Sequence, residues 1–170
     1  MSLSVLIVMG SDSDLDQIAP AWKVLESLGV SYEVTVASAH RSPDRVVTIA
    51  RSARERGFGV VLAAAGGAAH LAGVFAAHTT LPVVAVPVVV GTLGGVDALL
   101  SAVQMPGGVP IASVGIGGAR NAGYFAAAIL SASDPVLASR LEAFREEQAK
   151  NVTEADARMR AKLGKPPAAS

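Results

Sequence analysis

Short apolar runs rich in β-branched residues alternate with polar loops and helix-like segments along most of the chain. The runs occupy residues 3–9, 32–37, 59–64, 83–88 and 111–116. Runs of this length between turn residues are typical of buried strands, and strands that alternate with helices are typical of a parallel sheet. The pattern predicts an α/β fold in which five βα units form a three-layer, doubly wound parallel sheet.

The segments between the runs carry helical signals. In the first segment, apolar residues recur at helical spacing, at Leu15, Ile18, Trp22, Leu25 and Leu28. Gly29 follows them as a C-terminal stop. The second segment starts with Pro43, which suits a first helical turn, and Gly57 follows its end. Its predicted buried stripe consists of Val46, Ile49, Ala50 and Ala53.

Two later helical segments are poor in large side chains. "AAHLAGVFAAH" at 68–78 and "NAGYFAAAIL" at 121–130 use Ala and Gly where a helix on a sheet normally has Leu or Ile. Small residues allow close approach of backbone to backbone or of subunit to subunit, and ordinary core packing explains them equally well.

A long helix is predicted at 134–163, after a core at about 3–132. Ser133, Asp134 and Pro135 form a helix start signal. The helix carries a broken apolar stripe at Leu137, Leu141, Phe144, Val152, Met159 and Leu163. We expect this helix to reach onto a neighbouring subunit, the alternative being a helix that lies along its own domain. The whole chain, 1–170, is expected to form one domain, with 164–170 as a loose tail.

Composition narrows the range of partners and chemistry. The 170 residues are 51% hydrophobic and contain 14 basic, 14 acidic and no cysteine side chains. The balanced charge gives no footprint for nucleic acid or an anionic membrane, and no disulfide or thiolate chemistry is available. The first residues lack a basic signal-peptide region, and no apolar stretch reaches the roughly 20 residues of a membrane helix. A cytoplasmic protein is expected.

In doubly wound, flavodoxin-like sheets, ligands bind beyond the carboxyl ends of the strands. The first loop there is "GSDSD", in which Gly10 permits a tight turn and Ser11, Ser13 and Asp14 offer polar groups at a helix start. Such a turn can hold a phosphate or a ribose hydroxyl. An ordinary N-cap with an acidic first turn has the same composition, so both interpretations stay open.

The second loop, "SAHRSP" at 38–43, places His40 beside Arg41. An imidazole exchanges protons near neutral pH, and a guanidinium is well suited to bind phosphate. The pair fits a phosphorylated substrate whose reacting part must gain and lose a proton. A capped or surface histidine beside an exposed arginine is the alternative.

The third loop, "AAAGGAAHLAG", has Gly66 and Gly67 where a planar ring could approach the backbone. Motifs for nucleoside triphosphates, dinucleotides and a serine nucleophile are missing from the sequence. His70 and His78 are eight residues apart without a nearby carboxylate, which is poor spacing for metal ligands. No metal or cofactor is expected.

Taken together and in this order, "MGSDSD", "SAHRSP", "AAAGGAAHLAG", "LPVVAVPV", "GVDALLSAVQMPGGVP" and "IGGARNAG" resemble the N5-carboxyaminoimidazole ribonucleotide mutase family of de novo purine biosynthesis. The resemblance covers about residues 3–150. It implies a flavodoxin-like octamer that moves a carboxyl group from the exocyclic nitrogen of an aminoimidazole ribonucleotide to ring carbon 4, without ATP, biotin or metal. It leaves open a functional coupling to the ATP-dependent synthetase that forms the carbamate.

The resemblance also assigns roles to residues. His40 matches the catalytic general acid and base, which protonates the departing nitrogen and later removes the carbon 4 proton. Arg41 matches the phosphate ligand. The other positions implied to bind substrate are Gly10, Ser11, Asp14, Ser38, Ala39, Gly66, Gly67, Ala68, His70 and Leu71. Among these, Gly66, Gly67, Ala68 and His70 match the loop that encloses the released CO2, with His70 as a lining residue.

Two other functions remain as alternatives. Related carboxylases, which use free CO2 directly, typically have lysine after the histidine, so Arg41 favours the mutase. A non-catalytic nucleotide sensor on the same fold would need Ser11, Asp14 and Arg41 but would tolerate loss of His40. Ala72 and Ala98 stand where the family more often has proline and serine, and His78 is unusual in its position.

Overall fold

Five parallel strands form one sheet in the order β2-β1-β3-β4-β5. The computed structural model describes residues 3–165, so the predicted tail lies outside the described residues from 166 onward. The strands are β1 (Ser4–Met9), β2 (Tyr32–Val36), β3 (Phe58–Gly66), β4 (Val83–Val88) and β5 (Ala112–Ser113). This order is that of the flavodoxin-like doubly wound fold, as predicted.

Within residues 3–165, six α-helices complete the three layers: α1 (Leu15–Ser27), α2 (Pro43–Ser52), α3 (Leu71–His78), α4 (Val96–Val103), α5 (Ala119–Ser131) and α6 (Pro135–Lys162). Val5 and Ile7 of β1 pack with α1 and α5 on one face, whereas Leu6 and Val8 pack with α2 and α3 on the other. β1 is therefore buried on both faces, which explains why it reads as an unbroken apolar run.

The fifth strand is shorter than the predicted run at 111–116. Only Ala112 and Ser113 pair with β4, opposite Val84 and Ala85. Two residues further along β4 is Pro87, whose carbonyl accepts from Gly117 N–H at 3.0 Å on the β5 side. In a strand, the backbone N–H and C=O of one residue point to the same side. Pro87 has no N–H to donate towards β5, so the β4–β5 hydrogen-bond ladder cannot continue there.

The small residues of α5 bring it close to α1. A Cβ added at Gly123 would lie 2.6 Å from the carbonyl oxygen of Ala21 and 3.0 Å from Cβ of Val24. The close backbone approach predicted for the "NAGYFAAAIL" segment is thus used within the subunit, between these two helices.

The long C-terminal helix follows the sheet only over its first turns. The Asp134 carboxylate accepts from the N–H groups of Val136 and Leu137 and caps the helix. Leu137 is buried and Phe144 stacks on Tyr124 with ring centroids 4.4 Å apart. Further along, Val152 is 70% exposed. The second half of α6 therefore projects away from its own sheet.

Candidate active site

The loops that follow β1, β2 and β3 meet at the carboxyl edge of the sheet and enclose a cavity of about 400 Å³. This volume is within the range of small-molecule sites. All the site residues predicted from the sequence line it except Gly67 and His70. Ser13, Ala65 and Val90 also line it. Val90 was missed because an apolar residue in the loop after β4 gives no chemical signal in the sequence.

The first loop is a capped turn. Ser11 Oγ accepts from Ser13 N–H at 3.3 Å, and Asp14 Oδ2 accepts from Ser11 N–H at 3.1 Å. These reciprocal bonds form a capping box, so the N-cap interpretation of "GSDSD" is confirmed. The same turn lines the cavity, which shows that the cap and a binding role are compatible.

Asp14 is the one buried charged side chain of the described residues, with 5% exposed surface. Burial raises the pKa of its carboxyl above the ordinary value of 3.8, against the opposing effects of the Ser11 N–H, the Ser13 hydroxyl and the Arg41 charge. A carboxylate with hydrogen-bond partners and limited solvent is suited to accept from the hydroxyl groups of a ligand.

Arg41 joins the first two loops. Its Nη2 donates to the carbonyl of Gly10 at 2.9 Å, and its backbone N–H donates to Ser38 Oγ at 3.2 Å. Ser42, which follows it, accepts from Ser38 N–H through its hydroxyl at 3.0 Å. The Arg41 guanidinium is exposed and lines the cavity. Its Nε also donates to Ser38 Oγ at 3.4 Å, which leaves Nη1 and the second N–H of Nη2 available to an anionic ligand.

His40 contacts His70 directly. The distance from His40 Nε2 to His70 Nδ1 is 2.9 Å, and the rings meet edge to face at 76°. A hydrogen bond between two imidazole nitrogens needs one proton on one of them, so the tautomers of the two rings are linked. The sequence placed both histidines at the same edge of the sheet, but it gave His70 only a lining role and did not predict this contact.

The two glycines of the third loop are required for different reasons. Gly67 has φ +61°, in the left-handed region that favours glycine. A side chain on Gly66 would collide with Cγ2 of Val90. The sequence suggested that Gly66 makes room for a ligand ring, whereas in the structure Val90 occupies the space beside it.

The described part of the chain has neither a metal centre nor a membrane-spanning helix. No group of three His, Asp or Glu side chains there is arranged to hold a metal ion. No described helix is both long enough and apolar enough to cross a membrane. A larger cleft of about 770 Å³, lined by Arg51, Arg54 and His78 among others, opens at the opposite edge of the sheet.

Comparisons with known proteins agree with this geometry. The family model described as AIR carboxylase matches residues 4–151. The N5-carboxyaminoimidazole ribonucleotide mutase of Thermotoga maritima is 51% identical over 148 residues, which cover 87% of this chain and 86% of that protein. The phosphoribosylaminoimidazole carboxylase of Schizosaccharomyces pombe is also 51% identical over 148 residues, which cover 87% of this chain and 27% of that longer protein. A crystal structure of Treponema denticola PurE matches with a TM-score of 0.81 at 26% identity, covering 91% of this chain and 96% of that one. The chain therefore belongs to the AIR carboxylase family.

Proposed function

We propose that this protein is an N5-carboxyaminoimidazole ribonucleotide mutase of de novo purine biosynthesis. The observation that carries the proposal is the imidazole of His40 at a cavity that also presents the Arg41 guanidinium and the buried Asp14 carboxylate. This combination can exchange a proton and bind a phosphorylated sugar. Family membership and the mutase name of a relative with half of its aligned residues identical support the same reaction.

The charged side chains of the site determine which part of the substrate each loop binds. Arg41 binds the phosphate, because it is the one arginine or lysine among the described residues that line the cavity. Asp14 would repel a phosphate, so together with Ser11 it accepts from ribose hydroxyls instead. The aminoimidazole ring of the substrate then lies towards the third loop, against Gly66, Ala68 and Leu71. The remaining wall consists of Gly10, Ser38 and Ala39.

His40 both supplies and recovers the proton that the reaction needs. The protonated ring gives its proton to the exocyclic nitrogen as the C–N bond of the carbamate breaks and CO2 leaves. Carbon 4 of the ring then attacks CO2, and the neutral imidazole of His40 takes the proton that carbon 4 loses. The cycle returns His40 to its starting state without a net proton, electron or water, so no cofactor enters the proposed reaction.

His70 belongs to the proposed site as a positioning residue for His40. The Nε2–Nδ1 contact of 2.9 Å links the tautomers of the two rings. Gly66 and Ala68 enclose the space in which CO2 is held, and they belong to the same loop as Gly67 and His70, which do not line the cavity. Confinement matters because CO2 carries no charge and escapes by diffusion unless the walls retain it.

The proposed protein acts as a homo-octamer. Val96, Leu100 and Val103 form a stripe on α4 at 4-3 spacing, and each is between 49% and 52% exposed. A stripe of this kind on one helix face supports contact with another subunit. The second half of α6, with Val152 and Met159 exposed, supports the expected reach onto a neighbouring subunit.

The setting of the enzyme is proposed from the same family relationship. Residues 1–170 form a single mutase domain, of which the family model matches 4–151. The protein acts in the cytoplasm on a small ribonucleotide, with no nucleic acid or membrane partner. Functional coupling to the carbamate-forming synthetase is part of the proposal because the carbamate is unstable in water.

Two substrate mixtures test the proposed reaction. One supplies enzymatically generated N5-carboxyaminoimidazole ribonucleotide, and the other supplies aminoimidazole ribonucleotide with concentrated bicarbonate. A mutase forms the carbon 4 carboxylate from the first mixture and slowly, at best, from the second. A direct carboxylase reverses this preference, and a sensor binds the ribonucleotide but forms no product from either mixture. Absorbance of the product distinguishes a mutase from a carboxylase, and a calorimetric titration with the ribonucleotide identifies a sensor that forms no product.

A further inference from the structure

The carboxamide of Gln17 bonds to both polar groups of one peptide residue in a distant loop. Its Oε1 accepts from Val89 N–H at 2.9 Å, and its Nε2 donates to Val89 C=O at 3.1 Å. Gln17 lies in the first turns of α1, and Val89 directly follows β4, 72 residues later. A two-point amide pairing fixes the orientation of the partner residue as well as its distance.

The loop that Gln17 holds is rich in glycine and contains one 3-10 turn, Gly91–Leu93. It runs from Val89 to Gly95, and Gly91, Gly94 and Gly95 all have φ between 59° and 87°. Val89 and Val90 are 44% and 49% exposed. Glycines of this kind allow many backbone conformations, so the position of the loop depends on where its first residues are anchored.

The anchor acts next to the proposed site. Val90 follows Val89 and lines the same cavity as His40. Its side chain packs so closely on Gly66 that a Cβ there would collide with it. Displacement of Val89 would therefore withdraw the apolar wall that faces the third loop. Gln17 itself does not line the cavity.

We infer that Gln17 is a positioning residue that holds Val90 against Gly66, so that CO2 released in the cavity stays there until carbon 4 takes it up. The inference rests on the proposed mutase reaction. CO2 has no charge for the protein to bind, so its retention depends on how tightly apolar walls such as Val90 close the cavity. Loss of this wall should let CO2 escape and leave aminoimidazole ribonucleotide as a side product.

The test measures how the octamer or other native assembly divides the carbamate substrate between the carbon 4 carboxylate and aminoimidazole ribonucleotide. Gln17→Met removes both hydrogen bonds at similar volume, and Gln17→Glu keeps an acceptor for Val89 N–H but loses the donor. Lys23→Met is the matched control, because it introduces the same residue at an exposed position of the same helix. An isotopic label in the carboxyl group of the carbamate substrate reports how much of the released CO2 exchanges with dissolved bicarbonate.

We expect Gln17→Met to raise the leaked fraction by about threefold to tenfold, in line with the loss of two hydrogen bonds of modest net value. Gln17→Glu should fall between wild type and Gln17→Met, and Lys23→Met should match wild type. The KM for the ribonucleotide should stay within about twofold, because the phosphate and ribose contacts lie elsewhere. A merely structural role would lower the unfolding temperature without changing how the product divides.

Hydrogen exchange at Val89 and Val90 tests the structural half of the inference without any turnover. Faster exchange in Gln17→Met than in Lys23→Met is expected, and equal exchange would overturn the anchor. Wild-type turnover combined with an unchanged leaked fraction in both Gln17 variants would overturn the inference while leaving the mutase proposal intact. Absence of any product from the wild type would instead refute the proposed function and, with it, the role in CO2 retention.

Discussion

Replacing Arg41 by methionine tests whether the cavity recognises a phosphate. Arg41 reaches the cavity from the second loop and uses Nη2 on the carbonyl of Gly10 at 2.9 Å. Its Nε donates to Ser38 Oγ at 3.4 Å, so the proposed phosphate is held by Nη1 and the second N–H of Nη2. The comparison that isolates the phosphate uses two ligands, the 4-carboxyaminoimidazole ribonucleotide and the corresponding ribonucleoside, which differ only in that group.

The expected loss follows from the character of the contact. Hydrogen bonds to a charged group contribute about 1.5–3 kcal/mol, and an exposed guanidinium lies at the lower end because solvent and salt screen it. A loss of about 1.5 kcal/mol corresponds to about tenfold weaker binding of the ribonucleotide. Binding of the ribonucleoside should change by no more than about twofold. The difference between the ligands should shrink as salt is added.

Arg45→Met provides the matched control. Arg45 also donates to a backbone carbonyl, that of Val36 at 3.0 Å, and to Thr35 Oγ1 at 3.1 Å, but it does not line the cavity. Isothermal titration calorimetry gives both affinities for both variants. Equal weakening of the two ligands by Arg41→Met, or an equal effect of Arg45→Met, would refute the assignment of the phosphate to Arg41.

Three further outcomes are expected. The raised pKa of Asp14 means that folding favours the protonated carboxyl, so this contribution to stability is full below the ordinary value of 3.8 and is lost as the pH rises through the folded-state pKa. Carboxyl-carbon NMR of wild type, with Asp14→Asn to assign the resonance, should show Asp14 titrating above 3.8. Titration below 3.8 would contradict this reasoning. Gly123→Ala should lower the free energy of unfolding by about 1–2 kcal/mol in denaturant melts, because its Cβ would overpack the α1 backbone by more than the gain in helix propensity offsets. Leu100→Glu should reduce the assembly size in sedimentation experiments by placing a charge on the exposed α4 stripe, and an unchanged size would exclude that stripe as a subunit contact.

The strands and the loops of the site could be predicted because each depends on local sequence. A buried parallel strand such as β1 needs apolar residues on both faces, and the polar loop residues after it must lie at the carboxyl edge. Asp134 and Pro135 marked the start of α6 for similar local reasons. The predicted bounds of that helix, 134–163, agree closely with Pro135–Lys162.

Features that depend on contacts between distant residues could not be predicted. β5 is short because Pro87 lacks an N–H on the side of β4 that faces β5, and the apolar run at 111–116 does not reveal this. The approach of His70 to His40 depends on how two loops fold over the sheet edge. Likewise, Val90 and Gln17 carry no chemical signal in the sequence. Val90 lines the cavity, and Gln17 is connected to the site through its hydrogen bonds to Val89.

The most direct measurement of the central claim compares wild type with His40→Asn on enzymatically generated N5-carboxyaminoimidazole ribonucleotide, without added ATP or metal. Asparagine occupies similar space but cannot exchange a proton near neutral pH. The account predicts wild-type formation of the carbon 4 carboxylate, loss of that turnover in the variant, and ribonucleotide affinity within a few-fold of wild type. Retained turnover in a folded His40→Asn protein, or no turnover in the wild type, would contradict the account.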